Sequence, residues 1–362
     1  VDEVREWTVP GRVNLIGEHL DYNGGAVLPI AIDRAILIKI RGREDGLVNV
    51  WTGGAKTSFA TSVRPGDVVD GAAYVAAAVW ACRSAGVDVS GADIVIESSL
   101  PTGAGLASSA ALTCGLAAAF DDLADAGSST LELARIGQRA ETDFIGAPVG
   151  LMDQLTVLNA RPRHALHIDF AVPEPALTQV PAGWSDARLA LAVVDTGVRH
   201  RIASGEYATR RDECARAAAE LGVDRLAAAA VDAVLRLDDD IVKRRTRHVV
   251  TETARVRGAL KALRTAEWTQ FGAMLTASHA SLRDDFEVSC PELDLAVETA
   301  LESGAVGARM TGGGFGGSAI ALLPADAVDS LRGRLEDRYA RAGWTAPHVM
   351  AVTAVGGAAR RA

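Results

Sequence analysis

Lysine is nearly missing from this chain: of 37 basic residues, only Lys39, Lys56, Lys243 and Lys261 are not arginine. None of the four follows a glycine, which excludes a phosphate loop of the Gly-Lys-Ser/Thr kind. The arginine bias itself reflects genome composition and carries no functional weight. Cysteine is sparse too. Cys82, Cys114, Cys214 and Cys290 stand far apart with no C-x-x-C pair, so four reduced thiols are expected rather than a disulfide or metal framework. Basic residues are outnumbered by 46 acidic ones, and the net charge of −9 excludes a non-specific nucleic-acid binder. Long bulky apolar runs are also lacking. Residues 98–120 carry no charge, yet only Leu100, Leu106, Leu112, Leu116 and Phe120 are large and apolar. That run reads as a turn and a buried helix, not a membrane span. No His-Arg-Asp or Asp-Phe-Gly occurs, which excludes a protein kinase. The residue three past Gly105 is Ser108, which excludes the dinucleotide fingerprint. No signal peptide is expected, and Val1 in place of methionine points to a trimmed start.

What is present is an ordinary folded composition, with 49% apolar and 23% charged residues over 362 positions, enough for two linked cores. Strands are predicted over 35–40, 48–51 and 92–97, and helices over 72–85 and 106–125. Ser129 and Glu132 form a capping box that opens a helix to about Phe144, and another helix begins after Gly150. Strands follow at 164–170 and 188–196. The prolines and Gly183 between them make 171–187 the expected domain junction. The second half is more helical, over 206–221, 246–265, 267–281 and 291–303. It closes with strand 318–323, helix 325–342 and strand 348–355. Strands and helices mixed in both halves give an α+β fold of two domains, residues 1–180 and 181–362, with a cleft between them.

Three segments carry chemistry. The first runs from Pro10 to Gly25, where Glu18, His19 and Asp21 share one glycine-bracketed loop. Paired carboxylates accept hydrogen bonds from vicinal hydroxyls, so this loop suits a sugar or polyol; a solvated turn is the plain alternative. The second runs from Leu100 to Leu112. Its glycine-rich turn feeds a helix, and unpaired N–H groups and the positive helix end converge to bind phosphate. Ser108 and Ser109 fall in the first turn, where a hydroxyl caps the helix or ligates Mg²⁺. In the third, residues 312–317 hold five glycines before an apolar strand, a conformational cost that close approach to a ligand or another loop would justify.

Together these segments resemble the three motifs of the small-molecule kinase superfamily named after galactokinase, homoserine kinase, mevalonate kinase and phosphomevalonate kinase (GHMP). Within it the run from Gly11 to Tyr22 is similar to the N-terminal pattern of the galactokinase family. The resemblance continues through Gly150-Leu151-Met152-Asp153-Gln154, Val198-Arg199-His200, Ser204-Gly205-Glu206-Tyr207 and residues 289–294. It covers essentially the whole chain. Leu20 stands where the family usually has threonine, Val9 where it has alanine, and Ala107 where serine or glycine is common.

The resemblance implies an N-terminal domain like ribosomal protein S5 domain 2 and a ferredoxin-like C-terminal domain, with the active site in the cleft. It implies transfer of the ATP γ-phosphoryl group to the anomeric hydroxyl of α-D-galactose, as in galactose catabolism. Asp153 would take the hydroxyl proton, and Arg12 would pair with that carboxylate and stabilise charge at the attacking oxygen. Glu18, His19, Leu20, Asp21, Gly150 and Tyr207 would surround the sugar. Gly103, Ala104, Gly105, Leu106, Ala107, Ser108 and Ser109 would wrap the ATP phosphates, with Trp80 and Thr52 near the nucleotide. Ser109 and Glu141 would ligate Mg²⁺ through hard oxygens. Asp284 and Asp285 read as a solvated surface pair. The expected protein is a soluble, cytoplasmic monomer that engages neither nucleic acid nor membrane. A kinase for N-acetylgalactosamine or arabinose, or a galactose- and ATP-binding sensor without turnover, are the alternatives; the complete Ser108-Ser109-Ala110-Ala111 run speaks against the sensor.

Overall fold

The computed structural model describes residues 3–199 and 205–361. In chain order the elements are β1 (Arg5–Asn14), β2 (Ala26–Val27), β3 (Pro29–Gly42), β4 (Leu47–Thr52), β5 (Ala55–Ala60), α1 (Ala73–Ser84), β6 (Ala92–Ser98), α2 (Ser108–Ala124), α3 (Thr130–Arg139), α4 (Met152–Asn159), β7 (His164–Asp169), β8 (Ala176–Pro181), β9 (Leu189–Asp195), α5 (Glu206–Leu221), α6 (Asp240–Arg264), α7 (Trp268–Asp284), α8 (Pro291–Glu302), β10 (Gly307–Thr311), β11 (Ser318–Pro324), α9 (Val328–Ala342), β12 (His348–Val352) and β13 (Ala359–Arg360).

Period-two patterning makes the first sheet: Ile36, Ile38 and Ile40 of β3 are buried, while Leu37, Lys39 and Arg41 lie on the other face. Its order is β13-β1-β3-β6-β4-β5, antiparallel except for the parallel pair β4–β6. Helices α1 to α4 pack together and α2 lies against β1 and β3. The alanine-rich α2 is buried on most of its circumference, and Gly115 lets it settle onto the sheet, since a Cβ there would lie 2.5 Å from Val9 Cγ2. A three-stranded sheet, β2-β7-β8, adjoins it. The second half builds the sheet β10-β11-β9-β12, with α7, α8 and α9 packed on it. Gly272 of α7 and Gly307 of β10 touch backbone to backbone; a Cβ on Gly307 would meet the Gly272 carbonyl at 2.3 Å.

Several boundaries differ from the sequence reading for physical reasons. Helix α2 begins at Ser108, not Leu106, because Gly103, Gly105 and Ala107 adopt φ of +70°, +73° and +60°, which a right-handed helix cannot hold. Ala107 is its N-cap and no side chain caps it, so Ser108 and Ser109 do not serve as caps. The capping box at Ser129 and Glu132 forms as expected, a feature that contributes about 1 kcal/mol. The helix it opens does not run unbroken to Phe144: α-geometry stops at Arg139 and a π-turn occupies Ala140–Ile145. Helix α6 starts earlier than predicted, at Asp240, because Asp239 caps it by accepting from the Ile241 and Val242 N–H groups. The predicted junction at 171–187 contains β8, paired to β7. The final residues return to the first half: β13 pairs with β1, and Gly357 N–H donates to the Ala160 carbonyl.

Candidate active site

A cleft forms where the three glycine-bearing segments meet, and its position is set by strand β1. The register of β1 against β3 shifts between Pro10 and Gly11, a bulge that re-aims the residue that follows. Gly11 permits the bend, since a Cβ there would lie 2.7 Å from the Leu106 carbonyl. The Arg12 N–H then donates to that same carbonyl at 3.0 Å, and Arg12 Nη1 donates to the Gly105 carbonyl at 2.6 Å. The rest of the guanidinium forks onto Asp153, in the first turn of α4: Nε to Oδ1 at 2.7 Å and Nη2 to Oδ2 at 2.6 Å. Such bidentate, charge-assisted bonding fixes the carboxylate in plane while leaving lone pairs for another donor. Arg12 is buried and the Asp153 side chain is partly open to the cleft.

The sugar-type loop lies beside this pair. His19 holds φ of +64° and its Nδ1 bonds the Tyr22 hydroxyl at 2.9 Å. Its ring stacks on Phe286 and Tyr207, with centroids 4.6 and 5.4 Å away. Burial pushes the imidazole well below its usual range, so it is neutral. Burial raises the Asp21 carboxyl to about 6, against N–H bonds from Tyr22 and Met152 that lower it. Asp21 packs directly on Gly150, where a Cβ would lie 1.7 Å from Oδ2. Glu18 is buried, and burial pushes its carboxyl up while Arg309 and the Gly312 N–H oppose that shift. Its Oε1 accepts from Gly312 N at 3.0 Å and lies 3.2 Å from the Thr311 hydroxyl.

The phosphate-type loop closes the other side. The third glycine motif is the turn between β10 and β11, and it presses against this loop: a Cβ on Gly312 would sit 3.4 Å from the Gly105 carbonyl. Ser318 Oγ donates to the Ala104 carbonyl at 2.7 Å. The π-turn swings Glu141 inward, where it is 1% exposed. Burial raises its carboxyl to about 7, opposed by hydrogen bonds from Ser109 and from Gln154 Nε2, the latter at 2.7 Å.

The cleft is lined by Arg12, Glu18, His19, Asp21, Gly103, Gly105, Leu106, Ala107, Ser108, Ser109, Glu141, Gly150, Asp153, Tyr207 and the stretch from Thr311 to Gly317. Four predicted site residues are not on this wall. Leu20 is fully buried beneath the loop and Ala104 behind it. Trp80 lies on α1 with its ring on Phe144 and under the Arg139 guanidinium, and Thr52 ends β4 beside Ala55. His200 and Ser204 lie outside the described residues. Asp284 pairs with Arg283 at the surface as expected, but Asp285 does not belong to a solvated pair: it ion-pairs with Arg247 and accepts from Ser281 Oγ. The sequence reading gave no role to Thr311 or Gln154, which lie in its motifs, and missed His248, Glu252 and Arg309. A lone arginine in the apolar run before Thr311 was the available signal for the last.

Ser109 and Glu141 offer two hard oxygens on the cleft wall, and among the described residues no group of three or more His, Cys, Asp or Glu could hold a metal. A sparse oxygen pair of this kind fits an ion that keeps waters and takes its remaining ligands from phosphates. Also among the described residues, no helix is long and apolar enough to cross a membrane.

Family models match along the chain: the galactokinase galactose-binding signature at residues 2–41, the GHMP kinases N terminal domain at 73–160, and GHMP kinases C terminal at 259–341. A galactokinase of Streptomyces coelicolor is 45% identical over 98% of this chain and 93% of its own length. A galactokinase of Mycobacterium tuberculosis is 43% identical, covering 97% of both. The crystal structure of Lactococcus lactis galactokinase complexed with galactose superposes with a TM-score of 0.92 at 30% identity, over 99% of this chain and 95% of that one. The chain therefore has the two-domain GHMP kinase fold and belongs to the galactokinase family of sugar kinases.

Proposed function

We propose that this protein phosphorylates the anomeric hydroxyl of α-D-galactose with ATP, giving galactose 1-phosphate and ADP. The observation that carries this reading is the Arg12–Asp153 fork, set in one cleft between the carboxylate-bearing loop and the glycine cradle. Asp153 accepts the proton of the sugar hydroxyl as its oxygen attacks the γ-phosphorus, and the bond to the bridging β,γ-oxygen breaks to release ADP. Arg12 holds that carboxylate in place and its charge stabilises the developing alkoxide. Glu18, His19, Asp21, Gly150 and Tyr207 surround the sugar, and Gly103 to Ser109 hold the phosphates through backbone N–H groups at the start of α2. Leu20 and Ala104 support these walls from behind, and Trp80 and Thr52 serve the nucleotide's outer end. Mg²⁺, held by Ser109 and Glu141, would neutralise phosphate charge when bound.

The same reading divides the chain into residues 1–180, which bring both substrate loops, and 181–362, which bring the third glycine motif. It takes the enzyme as a cytoplasmic monomer without nucleic-acid or membrane partners. The deciding experiment incubates the protein with MgATP and a panel of sugars, following ADP release and acid-labile sugar phosphate. Galactose should rank first by kcat/KM. N-acetylgalactosamine or arabinose ranking above it would overturn the substrate assignment, and the absence of turnover with any sugar would overturn the activity.

A further inference from the structure

Among the described residues Arg309 is the largest fully buried side chain, and it sits on β10, two residues before Thr311. Its neighbours along the strand are apolar or small, so a guanidinium here is costly unless an anion compensates it. Only Nη1 is engaged. It donates to the Leu15 carbonyl at 3.0 Å and forms an ion pair with Glu18 Oε2, while Nε and Nη2 meet no acceptor among the described residues. The nearby buried carboxylate of Glu252 is committed elsewhere: Oε1 accepts from Gly17 N and Ser278 Oγ, and Oε2 from Arg255 Nε. Glu18 is therefore the counter-charge in direct contact with Arg309.

Glu18 is held from two sides as a result. Gly312 N–H and Thr311 take Oε1, Arg309 takes Oε2, and His248 Nε2 lies 3.2 Å from the Glu18 carbonyl. Glu18 still lines the cleft. Buried this deeply, it would favour its neutral form without a cation against it. A protonated carboxyl has one fewer oxygen free to accept from a hydroxyl.

We propose that Arg309 is a positioning residue for sugar phosphorylation, acting through Glu18: its guanidinium keeps that carboxylate charged and aimed into the cleft as an acceptor for a sugar hydroxyl. The inference rests on the sugar-kinase reading above. It assigns to the second half of the chain, through a residue that never touches substrate, part of the control of sugar affinity.

The test compares the wild type, Arg309→Lys, Glu18→Gln and the double variant on whichever sugar the wild type phosphorylates fastest. Failure of galactose as substrate is thus seen in the wild type alone and leaves the Arg309 comparison intact. Arg309→Lys keeps a charge but loses the planar fork, so the sugar KM should rise about tenfold while the ATP KM stays within about twofold. In the Glu18→Gln background the same change should add less than about twofold, because the partner through which it acts is already neutral. Should Arg309→Lys fold poorly, the double variant Arg309→Met with Glu18→Gln removes both charges; it should melt higher than Arg309→Met alone and retain a raised sugar KM. Equal rises in the sugar and ATP KM values, or an undiminished Arg309→Lys effect in Glu18→Gln, would overturn the proposal.

Discussion

Replacing Gly150 by alanine adds one methyl group at the most crowded point of the cleft. Gly150 has no left-handed φ, so alanine takes up its backbone without strain and the perturbation is purely steric. The new Cβ would fall 1.7 Å from Asp21 Oδ2, against a closest tolerated contact of 3.0 Å, so the carboxylate must retreat by about 1.3 Å. Doing so pulls it from the Tyr22 and Met152 N–H groups that hold it. Misplacing a positioned group by about 1 Å costs on the order of 100-fold, so kcat/KM for the sugar should fall by about that factor, or about 2.7 kcal/mol. The ATP KM should barely move, because the glycine cradle lies on other segments. Initial rates at varied sugar and ATP, with a melting curve to confirm folding, measure this directly. An Asp21→Ala background supplies the control: with no carboxylate to displace, the added methyl should cost less than about twofold more. A folded Gly150→Ala enzyme within about threefold of wild type would refute the reasoning.

Asp153→Asn keeps the shape of the Arg12 contact but removes the proton acceptor, and should lower kcat about a thousandfold with sugar binding by calorimetry nearly unchanged. A loss in binding alone would point to a structural role. Asp21, raised to about 6, should make kcat/KM for the sugar fall as pH drops through that value, an inflection lost in Asp21→Asn. Stability runs the opposite way: the raised carboxyl favours the fold below its ordinary value of 3.8, and that contribution is lost as pH rises through about 6. Asp21→Asn should therefore melt higher than wild type at pH 8, and a lower melting point there would contradict the assignment. Glu141→Gln should raise the Mg²⁺ concentration for half-maximal rate about tenfold at fixed ATP, whereas an unchanged titration would remove Glu141 from the metal site.

Much of the cleft was legible because its residues are of types that chemistry restricts and turns require. Glycine-rich turns and a capping box leave local marks, and each lies where the sequence indicated, whereas the bulge that aims Arg12 left none. What escaped notice depends on tertiary contact. Nothing local distinguishes Glu252, on an amphipathic helix, from its solvated neighbours, yet it receives the Gly17 N–H across the molecule. The π-turn at Glu141 was likewise invisible: it inserts into a helix of normal composition, and only burial against α1 and α2 reveals it. Trp80 and Thr52 lie off the cleft wall, Trp80 against Phe144 and Arg139 and Thr52 beside Ala55, and nothing local in the sequence marks that placement.

Arg12 is bonded to the Gly105 and Leu106 carbonyls and to Asp153, all within the first half of the chain, whereas Glu18 is bonded to Thr311, Gly312 and Arg309 of the second. The Arg12–Asp153 fork is thus seated within one half, whereas the grip on Glu18 crosses from one half to the other, as does the Ser318 bond to the Ala104 carbonyl. A rotation of one half against the other would disturb the Glu18 and Ala104 contacts and leave the Arg12–Asp153 fork intact.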